Sequence, residues 1–221
     1  MSRQPVVVCA DLSAHRHSQR PVLSGLDLTV GAGCSVAVMG PSGGGKSTLL
    51  SVLCGLLLPT GGTVDVAGTR IYDLTLRQRT AWRLSSVGYV SQFGGLLDEL
   101  TVLENVELPL RLGRPVGSVS AIELIDSLGL SDCATSRADE LSGGQIQRTA
   151  IARALVGSPH LLLADEPTGA LDDDSSAEVA RCLIEASQRA GTALVVATHD
   201  ADLARQLGEI RLLRHGRLVS R

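Results

Sequence analysis

Nothing narrows the possible folds of this chain more than GPSGGGKST, residues 40–48. The stretch follows a short apolar run, SVAVM (35–39), and leads into STLLSVLCGLL, which has helical length and composition and is expected to end at Pro59. A strand, a glycine loop and a helix in that order form a junction built to hold an anion. Glycines let successive backbone N–H groups turn inward on one point, and the helix N-terminus adds its positive end. The loop fits the spacing G-x-x-x-x-G-K-S, from Gly40 through Pro41, Ser42, Gly43, Gly44 and Gly45 to Lys46, Ser47 and Thr48. In that pattern the lysine reaches phosphate oxygens and the Ser47 hydroxyl is placed to ligate Mg²⁺. Of the 20 lysines and arginines in the chain, Lys46 is the single lysine. An ammonium is a compact charge on a flexible stem and fits inside a ring of amides, where a broad planar guanidinium does not.

The rest of the sequence gives this junction a frame. VVVCADL (6–12) and VLSGLDLTV (22–30) read as strands ahead of SVAVM, GTVDVAG (62–68) alternates as a half-exposed strand, and VGYVSQ (87–92) reads as another. From about residue 95 to 158 the character is mainly helical, through TVLENVELPL, SAIELIDSLGL and GGQIQRTAIARALV. LLLADEP (161–167) and ALVVATHD (193–200) are continuous apolar runs, as in strands covered on both faces. An amphipathic helix separates them, and a short helix and a terminal hairpin turning at His215–Gly216 follow. Strands alternating with helices predict an α/β fold: a phosphate-loop core with a mainly parallel sheet, an N-terminal antiparallel β subdomain and a helical insert. The chain reads as one domain over residues 1–221, with the insert at about 95–158.

Composition removes several function classes. Aromatic residues make up 2 % of the 221 residues, too few for base-stacking platforms, and the formal net charge is −3 with arginines scattered singly. No nucleic-acid partner is expected. The longest apolar run, LLSVLCGLLLP, is too short to cross a bilayer and is broken by Gly55. The N-terminus lacks the apolar core of a signal peptide. Five widely spaced cysteines fit neither a disulfide framework nor a zinc pattern and read as buried small residues in a reducing cytosol. The arginine-for-lysine bias reads as a codon effect of a GC-rich genome.

Four further elements carry chemistry. In LLLADE, Asp165 and Glu166 stand at the end of an apolar strand, where one carboxylate can hold a metal and the next can orient a water. Taken alone, a strand end meeting a charged loop reads equally well. LSGGQ (141–145) places Ser142, Gly143, Gly144 and Gln145 at the start of a helix, either as a second anion cradle or as an ordinary helix cap. Gln92 follows the strand VGYVS, within reach of a metal and an attacking water in one reading and simply polar in the other. His199 ends VVATH, a position where a lone histidine is usually structural.

Together and in this order, these elements resemble the ATP-binding subunit of an ABC transporter over essentially the whole chain. GPSGGGKST resembles the family's Walker A motif, Gln92 its Q-loop, LSGGQ its signature, LLLADE its Walker B, Ala170-Leu171-Asp172 its D-loop and His199 its H-loop. Within the family, DEPTGALD and TVLENVELPL are most similar to cassettes serving MacB-type permeases, a group spanning lipoprotein release, macrolide and peptide export, haem efflux and FtsE-like division systems.

The resemblance implies ATP and Mg²⁺ as ligands and a head-to-tail dimer with two ATP molecules between the subunits. Lys46 and the loop amides would grip the β- and γ-phosphates, while Ser142 and Gly144 of the second subunit close on the γ-phosphate. Asp165, Ser47 and Gln92 would organise Mg²⁺, Glu166 would polarise the water, and His199 would hold γ-phosphate and Glu166 in register. The expected partner is a separate MacB-type permease, which alone would carry the membrane contact and leave this subunit on the cytoplasmic face. An FtsE-like regulator that moves no cargo is the alternative, and a soluble ABC ATPase of DNA or ribosome work is a third reading that the acidic charge opposes. One departure stands out. Where the family usually stacks adenine on an aromatic, the aligned position here is Arg16, in LSAHRHSQRP. The expectation is weaker base stacking with intact phosphate binding.

Overall fold

The computed structural model describes residues 4–15, 21–113, 115, 117 and 119–220. In chain order the first half comprises β1 (Pro5–Ala14), β2 (Leu23–Gly31), β3 (Ser35–Met39), α1 (Lys46–Leu53), β4 (Gly61–Val66), β5 (Thr69–Arg70), α2 (Leu76–Ser86) and β6 (Val87–Val90). The helical stretch carries α3 (Val102–Arg111), α4 (Ala121–Ser127), two 3₁₀ turns and α5 (Gly143–Leu155). The chain then alternates through β7 (Leu161–Asp165), α6 (Asp173–Arg189), β8 (Ala193–Thr198) and α7 (Ala201–Gln206) to the hairpin β9 (Glu209–Arg214) and β10 (Arg217–Ser220).

The strands form two sheets. β2-β1-β4-β5 is antiparallel throughout, and β10-β9-β3-β8-β7-β6 is parallel except for the terminal β10–β9 pair. The period-2 alternation of strand side chains explains how the layers stack. Leu162, Ala164, Leu194 and Val196 join a core with Ile151 and Leu155 of α5, Val179 and Leu183 of α6, and Leu203 of α7. Their neighbours Leu161, Leu163, Val195 and Ala197 face the other way, against Leu49, Leu50 and Leu53 of α1 and against Val7, Leu26 and Val64 of the antiparallel sheet. The central strands are therefore buried on both faces, which is why they read as unbroken apolar runs.

Two local expectations are corrected. The first helix stops at Leu53 rather than continuing to Pro59, because Gly55 takes φ +71° and the N–H groups of Leu56 and Leu57 both turn back to the Ser51 carbonyl. Helix α2 was not foreseen, although T-L-R-Q announces it: Thr75 and Gln78 form a reciprocal capping box at its start. The same device opens α3 (Thr101, Glu104), α4 (Ser120, Glu123) and α5 (Ser142, Gln145).

The parallel order sets where chemistry can occur. β9, β3, β8, β7 and β6 all point the same way. Their C-terminal ends therefore bring Arg214, the glycine loop, His199, Glu166 and Gln92 to one edge of the sheet. Open parallel sheets hold ligands at that edge.

Candidate nucleotide site

The glycine loop is shaped by its neighbours as well as by its glycines. Gly45 caps α1 in a left-handed conformation, φ +104°, and a side chain there would stand 2.9 Å from Val22 Cγ1. Only glycine meets both conditions. The loop encloses a cavity of about 190 Å³ lined by Val22, Pro41, Gly43, Gly45, Lys46, Ser47 and Thr48. Ser47 is exposed to this space, whereas Thr48 is buried beneath it.

Lys46 is 6 % exposed. Its Nζ donates to the Gly40 carbonyl at 2.9 Å, lies 3.4 Å from the Pro41 carbonyl and pairs with Glu166 Oε1 at 3.3 Å. Burying a lone ammonium is costly, and these three oxygens offset the loss of water. Glu166 reaches it through an uncommon backbone: φ is +46°, in the left-handed region. The Glu166 N–H first bonds the Ala197 carbonyl at 2.8 Å, one rung beyond the β7–β8 ladder, and the chain then turns sharply. That turn delivers the carboxylate between two partners. Its Oε2 accepts from the His199 backbone N–H at 3.1 Å and lies 2.9 Å from His199 Nδ1. Side chains from three separate strand ends thus form one bonded group, with the His199 ring outermost at 67 % exposure.

Asp165 sits beside this group and is held from behind. Tyr89 of β6 donates its hydroxyl to Asp165 Oδ2 at 3.4 Å, and burial together with the neighbouring carboxylate raises the phenol's pKa, so it stays a donor. Gln92 approaches from the other side of the loop after Glu166. A side chain on Gly169 would be 3.4 Å from Gln92 Nε2 and 3.5 Å from Glu166 Cβ. The oxygen-rich set Ser47, Asp165 and Gln92 suits a hard cation such as Mg²⁺, which takes few protein ligands and binds largely through phosphate and water. Among the described residues, no three His, Cys, Asp or Glu side chains cluster as a self-sufficient metal cage.

The remaining predicted residues lie along a second rim. Ser142 N-caps α5: its Oγ accepts from the Gln145 N–H at 3.3 Å, and Gln145 Oε1 accepts from the Ser142 N–H at 2.9 Å. Asp172 caps α6 in the same manner, accepting from the Ser175 N–H at 2.9 Å and the Ser175 hydroxyl at 3.0 Å, bonds that lower its pKa. The two caps pack together. A side chain on Gly143 would meet Leu171 Cδ2 at 2.9 Å, and one on Gly144 would meet Ser175 at 3.6 Å. The hydrogen bonds of Ser142 and Asp172 run within their own rim, and those of Lys46 and Glu166 run within the first group. Arg16 lies outside the described residues. Sequence reasoning missed Tyr89, Gln147 and Arg153, the last two on α5. Tyr89 stands three residues before Gln92, but which carboxylate it meets depends on strand order.

A glycine loop closed on a buried lysine, with paired acids and a histidine at neighbouring strand ends, defines a nucleoside triphosphate-hydrolysing cassette. The chain belongs to the ABC transporter family, whose model matches residues 23–169, and it is an ATP-binding ABC ATPase. It is 46 % identical over 201 residues to the lipoprotein-releasing system ATP-binding protein LolD of Xanthomonas oryzae pv. oryzae, covering 90 % of this chain and 82 % of that one. The protein of the same name from Legionella pneumophila is 42 % identical over 203 residues, covering 90 % and 89 %. Among solved structures, a dimeric bacterial ABC transporter cassette superposes with a TM-score of 0.84 at 35 % identity over 96 % of both chains. A post-hydrolysis cassette dimer bound to ADP and Pi gives 0.83 at 35 % identity over the same shares.

Proposed function

We propose that this chain is the energising subunit of a lipoprotein-releasing or related export system, hydrolysing ATP between two copies of itself to drive a separate MacB-type permease. The observation that carries the chemistry is the bonded group Lys46–Glu166–His199 at the mouth of the glycine loop. In this reading Lys46 and the loop amides from Ser42 to Thr48 bind the β- and γ-phosphates. Glu166 orients the attacking water, and His199 holds Glu166 in place through its backbone N–H and its ring. Mg²⁺, held by Ser47, Asp165 and Gln92, would neutralise charge on the transferring phosphoryl group. The chain's own task is positioning and electrostatics, since phosphoryl transfer needs little covalent help from the protein. Ser142, Gly144 and Asp172 would act on the site of the other copy, which fits the hydrogen bonds of Ser142 and Asp172 staying within their own rim, and Arg16 would face the base.

The permease surface in this reading is an apolar groove of about 560 Å³ between α2, β6 and α3, lined by Arg83, Leu84, Leu108, Pro109, Leu112 and Arg153 among others. Leu112 is 65 % exposed on its rim. No helix among the described residues is long and apolar enough to cross a membrane, so membrane attachment at the cytoplasmic face would come through the permease. The names of the relatives support lipoprotein release over an FtsE-like regulatory role.

Glu166→Gln tests the assignment. The variant should bind ATP and lose turnover on the order of 10²–10⁴-fold. Near-normal turnover in a phosphate-release assay would remove Glu166 from its role.

A further inference from the structure

Helix α5 does more than present Ser142. Its side grips the loop that carries Gln92. Gln147 is 2 % exposed, and its Nε2 donates to two consecutive carbonyls, Gln92 O at 2.5 Å and Ser91 O at 3.2 Å. Two turns along the helix, Arg153 donates through Nη2 to Gly94 O at 2.7 Å and through Nη1 to Gly95 O at 2.8 Å. Between these contacts the loop lies directly on the helix: a side chain on Gly94 would stand 2.5 Å from Ile146 Cγ2. Four successive bonds therefore hold the carbonyls of residues 91, 92, 94 and 95 to one helix. Ile146 and Arg153, seven residues apart, share a helical stripe, and Gln147 lies beside it.

The arrangement is more expensive than simple packing requires. Gln147 Oε1 is buried with no hydrogen-bond partner among the described residues. Exchanging the amide's O and N would set its oxygen against two carbonyl oxygens, so the donor orientation is the one the contacts demand. Burying an unpaired amide oxygen costs stability, and a leucine would fill the space without it. The amide is suited to holding this loop.

We propose that Gln147 and Arg153 are positioning residues for Gln92, fixing its loop to α5 through the carbonyls of residues 91, 92, 94 and 95. The inference rests on the role given above to Gln92. Arg153 also lines the apolar groove, so a partner docked there bears on the same clamp.

The test is a double-mutant cycle on the full chain, with ATPase kinetics and thermal unfolding measured for the parent, Gln92→Ala, Gln147→Leu and the pair. Gln147→Leu should lower kcat about tenfold while KM for ATP stays within about twofold and the melting midpoint does not fall. In the Gln92→Ala background the same substitution should cost less than about twofold more, because the two act as one unit. Arg153→Lys, which keeps the charge but cannot fork to both carbonyls, should show a loss of about threefold with the same dependence on Gln92. Additive losses, or unchanged kcat in both variants, would overturn the proposal while leaving ATP hydrolysis intact. Full turnover in Gln92→Ala alone would instead sink the role assigned to Gln92, and the proposal with it.

Discussion

The two halves of the candidate site are built on opposite principles. At the mouth of the glycine loop, side chains from three strand ends are bonded to one another: Lys46 to Glu166, Glu166 to His199. On the second rim, Ser142 and Asp172 turn inward on Gln145 and Ser175, capping their own helices. The bonds of the first half all close within a single chain. The second spends its side chains on local order and leaves the N-terminus of α5 exposed at Ser142 and Gly143, the part of a helix that favours an anion brought by another molecule. Symmetry makes such a division useful. Two copies related head to tail can each supply what the other's site is missing, and ATP then becomes the ligand that favours the closed pair.

The sharpest blow to this contrast falls on the first half. Lys46→Arg conserves charge in a chain that otherwise uses only arginine, yet a guanidinium cannot fit among the Gly40 and Pro41 carbonyls and Glu166. Turnover should fall on the order of 10²-fold, the size expected when a preorganised charge on the transferring group is displaced. Normal ATP hydrolysis by this variant would mean that the enclosure around Lys46 has no bearing on the reaction.

A far smaller effect belongs to the second rim. The Ser175 N–H and hydroxyl hold the Asp172 pKa below its ordinary value. A depressed carboxylate pKa contributes stability above the unfolded-state pKa and loses it as pH falls through the folded value. Asp172→Asn keeps a capping side chain but not the titration, so it should melt slightly below the parent at pH 7. The gap should begin to narrow near the ordinary aspartate pKa of about 4, where the unfolded chain takes up the proton, and close only as pH falls through the depressed folded value. Differential scanning measurements across this pH range check this, and a deficit that ignores pH would contradict it. Glu104 and Glu123, whose pKa values are lowered by Thr101 and Ser120 in their capping boxes, should behave likewise in the helical insert.

What was legible in the sequence follows from which interactions are local. The glycine loop, its flanking strand and helix, and the acids ending LLLADE are continuous stretches whose residue types announce their geometry. The buried strands were readable because a sheet covered on both faces leaves no polar alternation. Helix α2 carries a local capping signal, Thr75 with Gln78, but too few apolar residues to mark it by periodicity. By contrast, Lys46 and Glu166 meet only because β3 and β7 flank β8, and Gln147 holds Gln92 across a gap of 55 residues. No spacing rule encodes such contacts; they depend on strand order and on how closely α5 lies against the loop after β6. Even the meaning of Ser142 was open for the same reason. A cap and an anion cradle use the same residues, and here the capping bonds are formed.

The most direct test of the division asks whether the second rim of one copy acts on the first half of another. In multi-angle light scattering with saturating ATP and Mg²⁺, Glu166→Gln should run as a dimer. Adding Ser142→Arg to that variant should leave ATP binding intact and yield a monomer, because the bulky cation would block the rim without touching the glycine loop. A doubly substituted chain that still dimerises with ATP, or a Glu166→Gln chain that binds ATP and stays monomeric, would contradict a site shared between two copies.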